Sequence, residues 1–348
     1  MLIEEQINLS AARMLRARLA DVGHEVTLQE AFDVANWFHM RRGPLILEGE
    51  PGSGKSELLK RVAAISGAEL YWIQCYEQVG AGEVLYTWNK LAQRWEAARA
   101  RREKRDVKWW DRDHLIPGKM AHALMSEAQL VMVVFDEIDK IPEGSQLEAA
   151  LLGVTVDQRI TINESRDEIK RRGGLPPILI GFTSNAGERQ LRESLSAPLR
   201  RRSKFMSLEH PDAIRMEKIL RSAVPGLADN LRRQIAIYLH GLRADNWDKK
   251  ISLSEGIEWA ATLAHVGCEE LSTEVIEWTR SDVVKGEQEL KRLREANKRL
   301  VKLAKEKARE WGETGALNFY SASESAPNMS RRDDPTSHPL HPNLPSYA

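Results

Sequence analysis

The chain has 348 residues, enough for about two domains with a core each. Its 51 Lys and Arg balance 51 Asp and Glu, so no whole-chain field draws it to nucleic acid or to an acidic membrane surface. Two cysteines outside any CxxC pair argue against a disulfide framework, and no apolar run of about 18 residues exists to span a membrane.

The acidic start "MLIEEQINLSAARML" has no apolar signal-peptide core, so a cytoplasmic setting is expected. Residues 8–40 read as helices, with Leu9, Met14, Leu15 and Leu19 at helical spacing. "GPLILEGE" is a short buried strand running into a loop, "KSELLKRVAAISG" a helix stopped by Gly67, and "ELYWIQCY" a second strand. Residues 77–115 are polar, basic and rich in tryptophan. "LVMVVFDEID" and "LPPILIGFTSN" are two more strands, and between them the alternation of Val154, Val156, Ile160 and Ile162 predicts a hairpin. Strands alternating with helices imply an α/β fold with a parallel sheet flanked by helices. Residues 211–283 show only helical periods, and 284–311 a long charged helix. From about residue 313 Ser, Pro, Asn and His dominate, and disorder is expected there.

Gly49, Gly54, Lys55 and Ser56 stand at the spacing G-x-x-x-x-G-K-[ST], after a strand and before a helix. Glycines let such a loop (Gly49, Glu50, Pro51, Gly52, Ser53, Gly54) curl so that its amides face phosphate oxygens, with the helix start at Lys55, Ser56 and Glu57 adding a favourable dipole. Lys55 is expected to reach the β- and γ-phosphates of ATP, and the Ser56 hydroxyl to ligate Mg²⁺. "VVFDEID" ends a buried strand in Asp136, expected to hold the Mg²⁺ shell, and Glu137, placed to deprotonate the attacking water. The bland alternative, an acidic pair capping the next helix, loses weight beside the phosphate loop. Asn185, after "ILIGFTS", is placed to hydrogen-bond the water or the γ-phosphate; a turn asparagine is the alternative.

In order along residues 24–265, "GPLILEGEPGSGKSELLKRVA", "IQCYEQVGAGEVLYTWN", "VVFDEIDK", "ILIGFTSN", "LSAPLRRRSKF" and "KKISLSEGIEWAATL" resemble the AAA+ ATPases, and within them the MoxR family. The resemblance implies an α/β nucleotide domain over 24–208 with insertions at 77–115 and 154–174, followed by a helical lid at 209–283. An N-terminal helical segment over 1–23, a basic helix at 284–312 and a tail at 313–348 lie outside it. It implies a ring, expected to be hexameric, with ATP between subunits and an arginine reaching in from the neighbour. Arg202 is the first choice for that finger and Arg201 the second, with Arg200 a structural charge. It further implies a protein client to remodel or activate, often with a von Willebrand factor A domain partner and sometimes in metal-cofactor insertion or complex maturation. The lid departs from the pattern: Ile251 stands where proline is common, and Lys249 and Lys250 where other AAA+ proteins carry a sensor arginine, which leaves Lys250 as the second-sensor candidate.

A nucleic-acid transaction and a slow nucleotide-gated module are the competing readings. "ARARREKRDVKWW" and "KRLREANKRLVKLAKEKAR" would support the first, but their interleaved glutamates fit salt-bridged helix faces. Trp37, Trp72, Trp259 and Trp278 fall at core-like positions, Trp109 and Trp110 in a polar segment that could form a contact surface, and Cys75 reads as a small buried apolar residue.

Overall fold

A computed structural model describes residues 9–141, 145–185, 195–244 and 251–317. Two helices lead, α1 (Ser10–Asp21) and α2 (Leu28–Met40). α2 starts at a reciprocal cap: Glu30 N–H donates to Thr27 Oγ1 (3.1 Å) and Thr27 N–H to Glu30 Oε2 (2.7 Å). That satisfies two amides which a helix start leaves open.

The α/β unit follows in chain order: β1 (Leu45–Glu48), α3 (Lys55–Ser66), β2 (Glu69–Gln74), α4 (Ala81–Val84), β3 (Tyr86–Trp88), α5 (Lys90–Glu103), β4 (Leu115–Pro117), α6 (Lys119–Met125), β5 (Val131–Asp136), α7 (Gln146–Asp157), β6 (Arg159–Ile162), β7 (Asp167–Lys170), β8 (Leu179–Ser184), α8 (Ala197–Arg202) and β9 (Lys204–Ser207). Five strands pair in the order β2-β5-β8-β1-β9, all parallel. Helices cover both faces of such a sheet, so its central strands read as continuous apolar runs: β8 is buried throughout and β5 up to Asp136. One face packs Val133, Phe135, Ile180 and Phe182 against α6 and α7; the other packs Leu47, Val134 and Leu179 against α1, α2 and α3.

Two excursions leave this sheet. Between β2 and β5 the chain makes the antiparallel pair β3–β4 and the surface helix α5, on which Leu91 and Trp95 are exposed. The acids of α5 are engaged as the sequence suggested: Glu103 takes Arg99 and Arg105, and Glu96 takes Arg105. After α7 comes the pair β6–β7. Here the expected hairpin is corrected, because Val154 and Val156 belong to α7. Leu147, Leu151 and Val154 form that helix's buried stripe, a period of 3.6 rather than 2, and the hairpin begins only at Arg159.

The remaining helices form a C-terminal helical region, the lid, named for its place over the loop: α9 (Ala213–Ala223), α10 (Asp229–Ala244), α11 (Leu253–His265), α12 (Thr273–Trp278), α13 (Arg280–Val283) and, beyond the expected lid boundary at 283, α14 (Glu287–Thr314). They share one core, to which α14 contributes Leu293, Leu300, Ala304 and Trp311. The basic C-terminal helix is thus packed against α10 along one stripe, while its outward charges pair, Lys302 with Glu306 and Lys305 with Glu270. Trp37 and Trp259 are fully buried. Trp278 is not: it ends the six-residue α12 and is 87% exposed, which overturns its expected place in the core. The tail from residue 318 and Lys249 and Lys250 lie outside the described residues.

Candidate active site

The C-terminal ends of parallel strands are where α/β sheets hold ligands, because the loops there part and the following helices begin. Here β1 delivers the loop Gly49–Gly54, which curls onto the start of α3. Gly52 (φ +74°) and Gly54 (φ +95°) occupy backbone that a β-carbon disfavours, and a Cβ on Gly49 would fall 2.4 Å from the Leu208 carbonyl oxygen. The Lys55 side chain is buried, its Nζ donating to the carbonyls of Gly49 (2.9 Å) and Glu50 (2.8 Å) and lying 3.5 Å from Ser53 Oγ. Burial pulls Lys55 below its ordinary pKa, while Asp136, Asp139 and Glu137 oppose that fall.

The neighbouring strand ends supply the acids. Asp136 Oδ1 accepts from Ser56 Oγ (2.6 Å) and from Thr183 Oγ1 (2.5 Å), joining loop, β5 and β8 at one oxygen. A hydroxyl and a carboxylate oxygen side by side suit a hard cation such as Mg²⁺. Among the described residues no group of three His, Cys, Asp or Glu is placed to hold a metal alone, so a cation here would complete its shell with phosphate and water.

Glu137 sits at φ 58°, a left-handed conformation costly for any residue with a β-carbon. Its backbone N–H donates to Thr183 Oγ1 at 2.9 Å, which holds that turn. The carboxylate takes Asn185 Nδ2 on Oε1 (3.0 Å), and Gln74 Nε2 (2.8 Å) and Lys140 Nζ (2.6 Å) on Oε2. Asn185 is itself fixed by its backbone N–H to Asp139 Oδ1 (3.1 Å). The structure thus brings residues 49–56, Asp136, Glu137 and Asn185 together at the C-terminal ends of β1, β5 and β8. Gln74, Thr183, Lys140 and Asp139 were not singled out from the sequence. Gln74 had a signal, a polar residue closing an apolar strand, but its meaning depends on the pairing Gln74↔Asp136.

Cavities flank the loop on two sides. One of about 390 Å³ lies between it, residues 22–25 and the lid helices α9 and α11. The lid touches the loop here, Leu253 N–H donating to Gly52 O at 3.1 Å. Arg215 of α9 donates to Glu25 O (2.9 Å) and pairs with Glu30 (3.0 Å), closing the same cavity from the lid. His24 lines it with a buried Nε2 that has no hydrogen-bond partner among the described residues, and burial, then Arg215, push its pKa down to about 4. Glu57 also lines this cavity and pairs with Arg61 along α3 (2.6 Å). The other cavity, about 480 Å³, is bounded by Glu50, Pro51, Asn185, His210 and Arg243. Arg243 of the lid donates to Glu50 of the loop and to the Ile251 carbonyl.

Arg200, Arg201 and Arg202 end α8 one residue before the edge strand β9. Arg200 Nε donates to Leu195 O (3.2 Å), whereas Arg201 and Arg202 are exposed. Gly43 (φ +70°) lets the Arg202 carbonyl approach, since a Cβ there would fall 2.0 Å from that oxygen. Cys75 is buried, its thiol pushed up to about 12 by burial and then by Asp136, Asp139 and Glu137, as an inert core thiol would be.

The sheet order, the loop before α3, the acid pair at the end of β5 and the helices that follow are the arrangement of an AAA+ nucleotide-binding domain. Residues 44–203 match the sequence model for the AAA domain of the dynein-related subfamily, so the chain carries an AAA+ ATPase domain. No curated protein matches the chain in sequence. Among solved structures it is similar to a RuvB mutant from Thermotoga maritima, at 18% identity over 77% of this chain and 68% of that one, with a TM-score of 0.42. Among the described residues no helix is long and apolar enough to cross a membrane.

Proposed function

We propose that this chain is a MoxR-like AAA+ ATPase that assembles into a ring, expected to be hexameric, and uses Mg²⁺-dependent ATP hydrolysis to remodel or activate a protein client. The observation that carries the reading is the double bridge at the strand ends: Ser56 and Thr183 share one oxygen of Asp136, and Gln74, Asn185 and Lys140 hold the carboxylate of Glu137 beside it.

The loop amides and Lys55 receive the phosphates, and Ser56 and Asp136 would hold Mg²⁺. Bound there, the ion would neutralise charge on the β- and γ-phosphates. Glu137 takes the proton of the attacking water, and its three donors keep the acceptor oxygen from wandering. Asn185, tied to both Glu137 and Asp139, aligns that water or the γ-phosphate. Arg202, exposed at the end of α8, reaches the neighbouring subunit's γ-phosphate, with Arg201 as second choice; a guanidinium suits this because its fork stays charged and binds phosphate oxygens in pairs. Lys250 keeps its second-sensor assignment from the resemblance, and the von Willebrand factor A domain partner and the cytoplasmic setting are likewise carried by it.

Two variants test the reading. Glu137→Gln keeps ATP binding while steady-state turnover falls on the order of a hundredfold or more. Unchanged phosphate release in that variant would refute the base assignment. Arg202→Ala keeps ATP binding by the isolated chain and loses the turnover that depends on assembly, on the order of a thousandfold; full activity would move the role to Arg201.

A further inference from the structure

β6 and β7 form a ribbon that no third strand joins among the described residues. Its register decides which backbone groups face outward. Arg159 lies opposite Lys170 and Thr161 opposite Glu168, while Arg171 N–H donates to Gln158 O at 3.1 Å. Residues 158 and 171 are therefore a hydrogen-bonded pair, and in an antiparallel ladder such pairs alternate with non-bonded ones. Arg159, Thr161 and Asn163 consequently turn their N–H and C=O groups away from β7. Two contacts agree with this parity: Asn163 N–H donates outward to Tyr86 Oη (3.2 Å), and Glu168 O, on the opposite edge, accepts Arg112 Nη2 (2.8 Å).

The outward edge of β6 opens on a cavity of about 750 Å³. The consecutive residues Arg159, Ile160 and Thr161 all line it, so the strand meets the cavity along its edge rather than by one face. The backbone N–H and C=O groups of Arg159 and Thr161 have no partner among the described residues. The facing wall is α7, which presents Ala149, Ala150 and Gly153, and a β-carbon on Gly153 would meet nothing within 4 Å. An unpaired strand edge beside a recessed wall of small residues is the arrangement that accepts an extended peptide as an added strand. A nucleic acid offers no matching ladder of amides, and the charged lining is two acids, Asp157 and Glu164, against the single base Arg159.

We propose that this groove binds an extended segment of the protein client, which pairs as a third strand with the outer edge of β6 and rests its side chains on Ala149, Ala150 and Gly153. The inference rests on the reading of the chain as a remodelling ATPase. Backbone pairing suits that role because it tolerates varied client sequences, the contact being to main chain.

The test uses the full chain with Glu137→Gln, with and without ATP, and fluorescein-labelled unfolded casein as the probe, read by anisotropy. Gly153→Trp fills the groove from a position in open space. Thr161→Pro deletes one outward N–H and leaves the β6–β7 bonds intact, as edge positions allow. Thr161→Ala changes the side chain and keeps that N–H. Gly153→Trp and Thr161→Pro are expected to weaken casein binding about tenfold or more, and Thr161→Ala less than about twofold. Absence of casein binding by the parent, or equal binding by Gly153→Trp and Thr161→Pro, would overturn the proposal. So would dissociation of the assembly by these variants with casein affinity kept, since the edge would then join copies of the chain. ATP turnover of the chain with Glu137 intact separates the two readings: turnover with edge-independent casein binding sinks only the groove, whereas absence of turnover sinks the ATPase reading.

Discussion

The phosphate loop stands between two walls held in different ways. On the sheet side, Asp136, Glu137 and Thr183 are fixed by the ends of parallel strands, and each takes part in more than one short bond. On the lid side the loop is held by a backbone contact, Leu253 to Gly52, and by long side chains that reach across, Arg243 to Glu50 and Arg215 to Glu25 and Glu30. The first wall resembles a jig, since moving one member strains the others. The second reaches the loop through two largely buried arginines and one backbone bond, and none of those bonds goes to Asp136 or Glu137. The sheet-side wall, the rigid one, is the one tied to the proposed chemistry.

Breaking the rigid wall should therefore have the larger effect. Thr183→Val keeps shape but removes the hydroxyl that donates to Asp136 and accepts from the Glu137 N–H. The side chain is fully buried, so that N–H loses its partner out of reach of water, at about 1–3 kcal/mol of stability. The left-handed turn at Glu137 loses its tether as well. Since misplacing a catalytic group by about 1 Å costs on the order of a hundredfold, turnover should fall by about that factor while ATP affinity changes little. Calorimetry and steady-state kinetics on the same preparation check both halves; a variant as active as the parent would show that Thr183 supports the wall without positioning the base.

The lid wall is disturbed from the loop by Gly52→Ala. The added carbon would stand 2.3 Å from Ser252 Cβ, at the capped start of α11, and Gly52 has φ +74°. The left-handed backbone alone costs about 1–2 kcal/mol, and α11 must move to clear the clash. Weaker ATP binding, by about tenfold, is expected together with a lower melting temperature. If melting falls and ATP affinity does not, the lid contact serves folding only.

The two walls also differ in how far the sequence announces them. The loop and the pair Asp136–Glu137 are contiguous motifs whose chemistry fixes their spacing, so they can be read from one short stretch each. Gln74 and Thr183 acquire meaning only through register, Gln74 opposite Asp136 on β5 and Thr183 one strand further on. The lid contacts are more remote still, Arg215 reaching Glu25 across 190 positions. Short windows mislead in a related way: the i, i+2 spacing of Val154 and Val156 mimics a strand, and only the longer stripe with Leu147 and Leu151 reveals the helix. Trp278 is the last residue of α12, and two positions past the buried Ile276 it falls on the opposite, exposed side of the helix.

The smallest effect separates the walls by pH. His24, on the lid-side cavity, is held down to about 4 by burial and by Arg215, with Glu57 opposing and Arg61 adding to the fall. The native imidazole is thus neutral where the unfolded chain, titrating near 6.5, is already protonated. A depressed histidine contributes nothing against folding above pH 6.5, and its stability is lost as pH falls from there towards 4, because the unfolded state binds the extra proton. Kept in full, the shift would amount to about 3 kcal/mol; partial solvent access to this cavity reduces that to about 1 kcal/mol. Denaturant melts between pH 7 and pH 4.5 should show this slope, and His24→Gln should flatten it while leaving the pH 7 value nearly unchanged. A slope of the same size in His24→Gln would assign it to other groups, the half-buried His210 beside Arg243 first among them, since burial and then Arg243 hold it at about 4 as well.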